Sequence, residues 1–468
     1  MKERKIGIFT LAITLILLGG LFLLNNFTDV NIHYVLSIFW PSVIILLGLE
    51  IVFSKAILGK DETKTKLCIS GKSIFFILVI VFMSFILSLI QKIPLDLTIN
   101  GNFIPISYKK ETNVNKDMTI DVKDKNKLKV INGFGYVNVK QGIEKDIKVS
   151  MSATIRHNYE EEEAQRIAEN LLDVINDGGD SIKLINQREK YTRDNKIGGV
   201  EVDLDITIPP GIDVDITNEH GDISLMDSEG SATIYNEHGN IFADNLKGDL
   251  DIKDAHGEVE IININGKTVV QNRHGNISAK NIEKDLNIIN EHGDVSVSTV
   301  KGNVEIDNSH QPIEVEKIVG NLVVESEFCK IDINEVGGDI KVNGRHEKIG
   351  VKNIKGNVRI RNEHGRIKLS NANKSIELQN RNDEIVFESD KVISDKLKVE
   401  NEHGRIDIRL PKNQEGSFYV FTRHGRINND FDLKVNTSNN EESINGSIGK
   451  KDTIINIKAE NGDIRIEN

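Results

Sequence analysis

Residues 218–239 read NEHGDISLMDSEGSATIYNEHG, and this stretch holds the pattern that decides the fold. The Asn-Glu-His-Gly motif at its start returns at its end, eighteen residues later. Between the two copies Ile223 and Leu225, then Ala232 and Ile234, alternate with polar residues. Such alternation is typical of a short β-strand that shows one face to a core. The stretch therefore predicts two strands and two turns in every eighteen residues.

The same period continues along much of the chain. Glycine recurs at most ninth positions from Gly221 to Gly365, and apolar residues follow four positions after each step. The full motif occurs at 218–221, 236–239, 290–293, 362–365 and 401–404. A fixed period is the signature of a repeat architecture. We predict a parallel β-solenoid over residues 211–468, with coils of eighteen residues stacked about 4.8 Å apart. An antiparallel hairpin array is the competing fold, but it does not require identical residues in one register.

Composition divides the chain into two parts. The chain has 468 residues and a net charge of −12, but residues 1–92 carry nine basic and five acidic side chains, so the remainder carries −16. That acidic balance argues against nucleic acid as a partner. The single tryptophan is Trp40, and the thin Ile/Val core of a solenoid suits a region that lacks this residue. The two cysteines, Cys68 and Cys329, are too few for a disulfide framework.

Three apolar runs, residues 6–24, 34–53 and 73–90, predict a three-span transmembrane anchor within 1–92 that contacts the lipid bilayer. Lysine and arginine lie before the first run and in the 54–72 loop, while the 25–33 loop has none. The positive-inside rule then predicts a multi-pass plasma-membrane protein with a cytoplasmic N-terminus and residues 93–468 outside. A cleaved signal peptide is the competing interpretation of the first run, and it leaves the later topology unchanged.

Two further segments separate this anchor from the solenoid. Residues 93–117 are polar and contain Pro94 and Pro105, which predicts a stalk or linker. Residues 118–210 alternate like strands but include one amphipathic helical stretch, with Ala164 and Ile167 on its apolar side. We therefore predict an all-β solenoid ectodomain, preceded by a small α+β cap at 118–210 and by the three-helix anchor.

Ten of the twelve histidines occupy one register of the repeat, where they should point outward at a turn. They are His220, His238, His256, His274, His292, His310, His346, His364, His403 and His424. After Asn382 the repeat lengthens to 21 residues, which predicts Asn382, His403, His424 and Asn445 in successive coils. Neighbouring imidazoles about 4.8 Å apart would repel when protonated, so we expect a broad titration.

Metal binding and catalysis are the two specific chemical functions that this region could have. Zinc needs three or four converging ligands, which a straight file of parallel side chains does not provide. Calcium needs acids in every turn, but Lys330, Lys348 and Arg366 follow the turn position in several coils. No catalytic set stands out, although the irregular coils 308–349 are where one would be sought. We predict no catalytic, cofactor-binding or metal-binding residues and no enzymatic activity.

Two stretches resemble known families. Residues 202–209, VDLDITIP, with the Gly-Asp-Ile units and the ending from Leu410-Pro411 to Asn461-Gly462-Asp463-Ile464, resemble the putative adhesins of unknown function with β-strand repeats. This resemblance covers about 118–468 and implies a β-helical surface domain without catalytic residues to carry over. Residues 17–21 and 40–48 resemble the membrane region of LiaF-like envelope-stress regulators, from which this chain departs by a third span and a longer repeat.

Three functions follow as expectations. The first is a bacterial-type surface protein that displays a rigid solenoid for adhesion or for interaction with a cell-wall polymer. The alternative is an envelope-stress sensor or regulator that acts on a membrane signalling protein. A polysaccharide-active β-helix enzyme is the third.

Overall fold

The structure, a computed structural model, describes residues 2–6, 8–25, 43–53, 65–69, 98–99, 102–103, 108, 110–176, 179–192 and 196–468, with the single positions 75, 77, 79 and 82. The chain forms two compact units, Met1–Tyr108 and Lys109–Asn468.

In the first unit, a helix spans Ile8–Asn25, and residues 43–53 are helical. The strands are β1 (Lys2–Ile6), β2 (Thr65–Ile69), β3 (Thr98–Ile99) and β4 (Asn102–Phe103), and β1 pairs in parallel with β2. The Glu50 carboxylate accepts hydrogen bonds from the backbone N–H groups of Phe9 and Thr10, at 3.3 and 3.0 Å. These donors belong to the first turn of the helix, where no backbone carbonyl is available to them.

The predicted three-helix anchor is not supported. Among the residues that the structure describes, no helix combines the length and apolarity needed to cross a membrane. Residues 34–42 of the second run, and all of the third run except 75, 77, 79 and 82, lie outside the described residues.

The second unit begins with seven strands and two short helices. They are β5 (Lys110–Ile120), β6 (Lys127–Phe134), β7 (Val137–Gln141), β8 (Ile147–His157), the helix Glu161–Glu169, β9 (Leu172–Ile175), β10 (Ser181–Asn186), the helix Arg188–Thr192 and β11 (Ile197–Ile208). Residues 110–117, which the sequence assigned to the linker, lie in β5, and β5 pairs antiparallel with β8 along its whole length. The first helix buries Ala164, Ile167 and Ala168, the apolar stripe expected from the sequence.

Two parallel sheets form the predicted β-solenoid, and each coil contributes one strand to each sheet. The sheet that carries the histidine turns, here the histidine sheet, contains β12 (Asp213–His220), β14 (Ala232–His238), β16 (Leu250–His256), β18 (Thr268–His274), β20 (Leu286–His292), β22 (Val304–Asn308), β24 (Leu322–Ser326), β26 (Ile340–Asn343), β28 (Val358–His364), β30 (Ile376–Asn382), β32 (Lys396–His403), β34 (Gly416–Arg423), β36 (Asn436–Ser438), β37 (Glu441–Ile448) and β38 (Ile454–Asn461).

The facing sheet contains β13 (Ile223–Met226), β15 (Ile241–Leu246), β17 (Val259–Ile264), β19 (Ile277–Ile282), β21 (Val295–Val300), β23 (Ile313–Ile318), β25 (Ile331–Val336), β27 (Ile349–Ile354), β29 (Ile367–Ala372), β31 (Ile385–Glu388), β33 (Ile406–Arg409), β35 (Ile427–Asn429) and β39 (Ile464–Glu467).

Register along the solenoid advances by eighteen residues per coil from β12 to β30, and by 21 residues from β30 to β32. Ile216 pairs with Ile234, and Ile234 pairs with Ile252, so that identical positions stack from coil to coil. The inward residues of both sheets form one continuous core, in which Ile306 has no exposed surface. The antiparallel hairpin array is excluded here, because these pairings are parallel.

Glycine at the histidine turn is required by two constraints. Gly221 and Gly239 have φ of +130° and +129°, which favours a residue without Cβ. A Cβ on Gly239 would also lie 2.3 Å from the carbonyl oxygen of Gly221 in the preceding coil. The turn glycines therefore allow the coils to approach at the spacing of a parallel sheet.

At the N-terminal end, spatial order departs from chain order. The coil formed by β6 and β7 lies between the coil of β10 and β11 on one side and the coil of β12 and β13 on the other. The strands β8 and β9 then pair antiparallel with β11 and β10. Residues 127–141 are thus the first coil of the solenoid in the chain, although the sequence placed them in the cap.

The C-terminal end shows the same departure. The coil of β38 and β39 lies between the coil of β32 and β33 and the coil of β34 and β35. The predicted register of Asn445 is therefore wrong: Asn445 lies in β37, which pairs antiparallel with β34 and sets it opposite Tyr419. Asn461 of β38 is instead the partner of His403.

Candidate binding surface

A ladder of buried asparagines positions the histidine turns. Each ladder residue lies two positions before the turn histidine, as Asn218, Asn236, Asn272 and Asn290 do, and each is at most 5% exposed. The Nδ2 group of Asn290 donates to the carbonyl oxygens of Gly293 in its own turn (2.9 Å) and Gly275 in the preceding turn (3.2 Å). One side chain thereby joins two successive turns, which fixes where the next histidine emerges.

The ladder has one acidic member. Asp254 replaces asparagine between Asn236 and Asn272, and it is 8% exposed. It has no amide group with which to donate to the turn carbonyls, and neither of its carboxyl oxygens has a side-chain partner. Burial raises the pKa of the Asp254 carboxyl to about 7, against a smaller lowering effect from the backbone N–H groups of Ala255 and His256.

The turn histidines form an exposed column of stacked rings. Successive ring centroids from His220 to His274 are 4.7 to 4.8 Å apart. Phe328 continues the column, with its centroid 4.7 Å from that of His346 and an interplanar angle of 4°. Because each ring covers the face of the next, the column presents ring edges to solvent.

Other groups extend the column at both ends. Phe134 stacks on His220 at 5.7 Å, and the Arg188 guanidinium lies 5.7 Å from the centroid of the Phe134 ring. At the far end, Asn382 Nδ2 donates to Nδ1 of His364 at 2.9 Å. Sequence reasoning missed Phe134 and Arg188, although Asn132-Gly133-Phe134-Gly135 carries the asparagine and glycine of the repeated turn.

Stacking affects the charge that the column can hold. The pKa of His220 is lowered by loss of solvent and then by the neighbouring His238. The pKa of His274 is lowered by the same effect and then by His256 and His292 on either side. Both directions agree with repulsion between stacked imidazolium groups, the effect expected from the register.

A polar groove of about 830 Å³ lies beside the column on the outer face of the histidine sheet. Its lining includes Asp307, Glu325, Arg345, Arg361 and Arg381. It crosses the coils in which Ser326 and Gly344 replace the ladder asparagine. The groove therefore coincides with part of the irregular region 308–349, where the sequence suggested that a site be sought.

Charges in this groove are largely paired with one another. Arg345 lies 2.9 Å from Glu327 and 3.7 Å from Glu363, and Arg381 lies 3.1 Å from Glu402. Within the described residues, Arg361 makes no ion pair. Burial, followed by Glu325 and Glu327, raises the pKa of Asp307. The groove thus offers a cationic and an anionic group that its own pairs do not neutralise.

The expected absence of metal-binding residues and of catalytic activity stays a prediction. In the described part of the chain, no group of three or more histidine, cysteine or acidic side chains could hold a metal ion. Cys329 is buried, and its thiol donates to the carbonyl oxygen of Asn308 at 3.2 Å. Burial raises the pKa of this thiol, which opposes formation of the nucleophilic thiolate.

Comparison with known proteins bears on the N-terminal region. Residues 9–52 match the family model described as the LiaI-LiaF-like transmembrane region. That match associates the chain with a membrane. It is also the family to which residues 17–21 and 40–48 were seen to be similar.

Solved structures similar to the chain include two adhesion-related proteins. One is a putative cell adhesion protein from Clostridium sporogenes, 12% identical, with 76% of this chain and 99% of that protein covered. The other is a putative adhesin from Bacteroides fragilis, 14% identical, with 76% and 97% covered. Both have a TM-score of 0.19, and both are of the class that the sequence resembles. No curated protein matches the chain.

Proposed function

We propose that this chain is a membrane-anchored surface protein whose solenoid binds an extended polar polymer of the cell wall or of a neighbouring surface. The observation that carries the proposal is the groove, which runs across successive coils and is lined by charged and amide side chains. A ligand with a repeating backbone can meet equivalent positions in successive coils, because these recur at the strand spacing of about 4.8 Å. A compact apolar ligand would find few apolar contacts there.

The groove can be tested by reversing its unpaired cation. Arg361→Glu should reduce retention of the full chain on isolated cell walls several-fold, because it adds repulsion among the groove acids. The matched control is Lys352→Glu on the facing sheet, where the side chain is also exposed. Equal retention of the two variants and the unaltered chain would remove the groove from the proposal.

The proposal includes the three-span anchor and its orientation. Two contacts in the first unit support it. The pairing of β1 with β2 brings Lys2 and Lys5 beside Thr65 and Cys68, so the two basic segments share a location. The contact of Glu50 with Phe9 and Thr10 suits two antiparallel spans whose opposite ends meet.

Reporter fusions test this topology. An alkaline phosphatase domain fused after residue 95 should be active, because that position is assigned to the exterior. The same domain fused at Lys64 should be inactive. The reverse pattern would overturn the orientation.

The match over residues 9–52 favours a second candidate, in which the chain regulates envelope-stress signalling through a membrane partner. Deletion of residues 218–468 distinguishes the two functions. Loss of surface binding with an unchanged stress reporter favours the polymer-binding role, whereas an altered reporter favours regulation.

A further inference from the structure

The last coil of the chain occupies a slot between two coils that precede it. In the histidine sheet, Ile455 pairs with Leu397 on one side and with Phe418 on the other. In the facing sheet, Ile464 pairs with Ile406 and Ile427. Both strands of the inserted coil are therefore hydrogen-bonded along both edges, although the coil arrives last in the sequence.

The spacing of the two coils that flank the slot also suits direct pairing of their strands with each other. Leu397 and Phe418 are 21 residues apart, and the same step separates Ile376 from Leu397, which pair directly. The coil of β34 and β35 thus has the spacing needed to stack straight onto the coil of β32 and β33. This spacing is compatible with a closed arrangement, in addition to the observed one that holds the inserted coil.

The inserted coil is attached by a short exposed connection. Gly449, Lys450, Lys451 and Asp452 are exposed, and Gly449 has a φ of +59°. Beyond them, Ile454 is 45% exposed, but the inward apolar residues of the coil are buried: Ile455, Ile457, Ala459, Ile464 and Ile466. The coil therefore cannot leave the slot without exposing this set, unless another slot receives it.

We propose that residues 454–468 are an exchangeable coil, and that the slot between residues 396–409 and 416–429 can receive this coil from a second copy of the chain. Reciprocal insertion would join two copies with the same contacts that each makes alone, which is the low-cost route of domain swapping. The proposal does not depend on the polymer-binding function.

Cysteine pairs test the exchange in the full-length protein. Lys398 and Asn456 are direct neighbours on adjacent strands, so their Cα atoms lie at a strand spacing that a disulfide can bridge. Two differently tagged chains, one with Lys398→Cys and one with Asn456→Cys, are expressed in the same cells after Cys68→Ser and Cys329→Ser. Exchange predicts a disulfide-linked heterodimer after mild oxidation.

The matched control pair is Asp251→Cys and Val269→Cys, neighbours in two coils that follow each other directly in the chain. This pair should give no heterodimer when split between two chains. A yield for the C-terminal pair no higher than this control would overturn the proposal. With both C-terminal cysteines in one chain, a disulfide should form within the monomer, and its absence would remove the slot itself.

Discussion

The two ends of the solenoid are built alike but closed differently. At each end, one coil lies between two coils that are distant from it in sequence. At the N-terminal end the inserted coil comes first in the chain, and the 142–212 excursion that follows packs fully buried side chains such as Met151, Ile155 and Leu171. At the C-terminal end the inserted coil comes last, and of the two strands between β35 and β38, β36 has only exposed residues and β37 has one buried residue, Ile444. The first end is held by its own core, while the second depends on the last fifteen residues.

The largest expected effect contrasts two buried positions with no exposed surface, Val130 in the N-terminal inserted coil and Ile457 in the C-terminal one. Val130→Asp buries an unpaired carboxylate in the first coil and should lower the free energy of unfolding by about 4 kcal/mol. Ile457→Asp should release only the last coil, because the slot can close behind it. Thermal unfolding followed by circular dichroism, with limited proteolysis at the C-terminus, measures both. Equal decreases in the melting temperature of the main transition for the two variants would mean that the two inserted coils are held equally strongly.

Two adjacent residues in the middle of the solenoid provide a reference for that comparison. Ile306 is fully buried in β22, and Asp307 beside it is exposed. Ile306→Asp should cost about 3 kcal/mol. Asp307→Lys should change the free energy of unfolding by less than about 0.5 kcal/mol, and any change should be favourable, because it removes a carboxylate that Glu325 and Glu327 repel. Similar melting temperatures for the two variants would contradict the inward and outward assignment.

The ladder makes a prediction about pH. An unfolded aspartate titrates near pH 3.9, and folding raises the pKa of Asp254 to about 7. The folded chain therefore keeps a proton between these values that the unfolded chain has lost, and stability falls as pH rises through this window. Asp254→Asn should remove that dependence and stabilise the protein at pH 8 by on the order of 2 kcal/mol.

Asn236→Asp supplies the converse test, because it places a second carboxyl in the same ladder. Denaturant unfolding at pH 4.5 and pH 8 should show a new loss of stability at the higher pH. No added loss of stability at pH 8 in Asn236→Asp, together with an unchanged pH dependence in Asp254→Asn, would show that the ladder does not hold a protonated aspartate.

The smallest effect concerns the histidine column. The pKa values of His220 and His274 are lowered on folding, so the unfolded chain binds more protons near the ordinary pKa of about 6.5. Stability should therefore decline slightly as pH falls through that range. NMR titration should place His274 below the ordinary value, and His292→Asn should raise it by removing one charged neighbour. A His274 pKa that does not move in this variant would exclude coupling along the column.

The sequence allowed the regular coils to be predicted because each carries its own turn glycine and inward apolar residues. The order of the coils at the ends could not be read in this way. Asn132 and Gly135 belong to the repeat, but in the sequence they are isolated from the next copy, which begins at Asn218. No local pattern shows which strand lies beside them. Likewise, Asn445 keeps the 21-residue spacing from His424 and Asn461 does not, but strand pairing places Asn461 beside His403.

The groove could not be predicted from the sequence for a similar reason. The sequence marked 308–349 as irregular, but Arg361, Arg381 and Glu402 reach the groove from coils that look regular. Their convergence comes from stacking, which places residues eighteen or more positions apart on one surface.

Because the coils stack at a constant spacing, the solenoid is built in equal steps, and each step corresponds to one coil of eighteen residues. Rings in the column are 4.7 Å apart where the coils are most regular. In that part of the chain, one coil offers the same edges to its neighbours as the next coil does. An in-frame duplication of eighteen codons there would lengthen the rod by one step of about 4.8 Å, and both ends would remain as they are. The length of the solenoid is therefore set by the number of coils, in increments smaller than a single turn of α-helix.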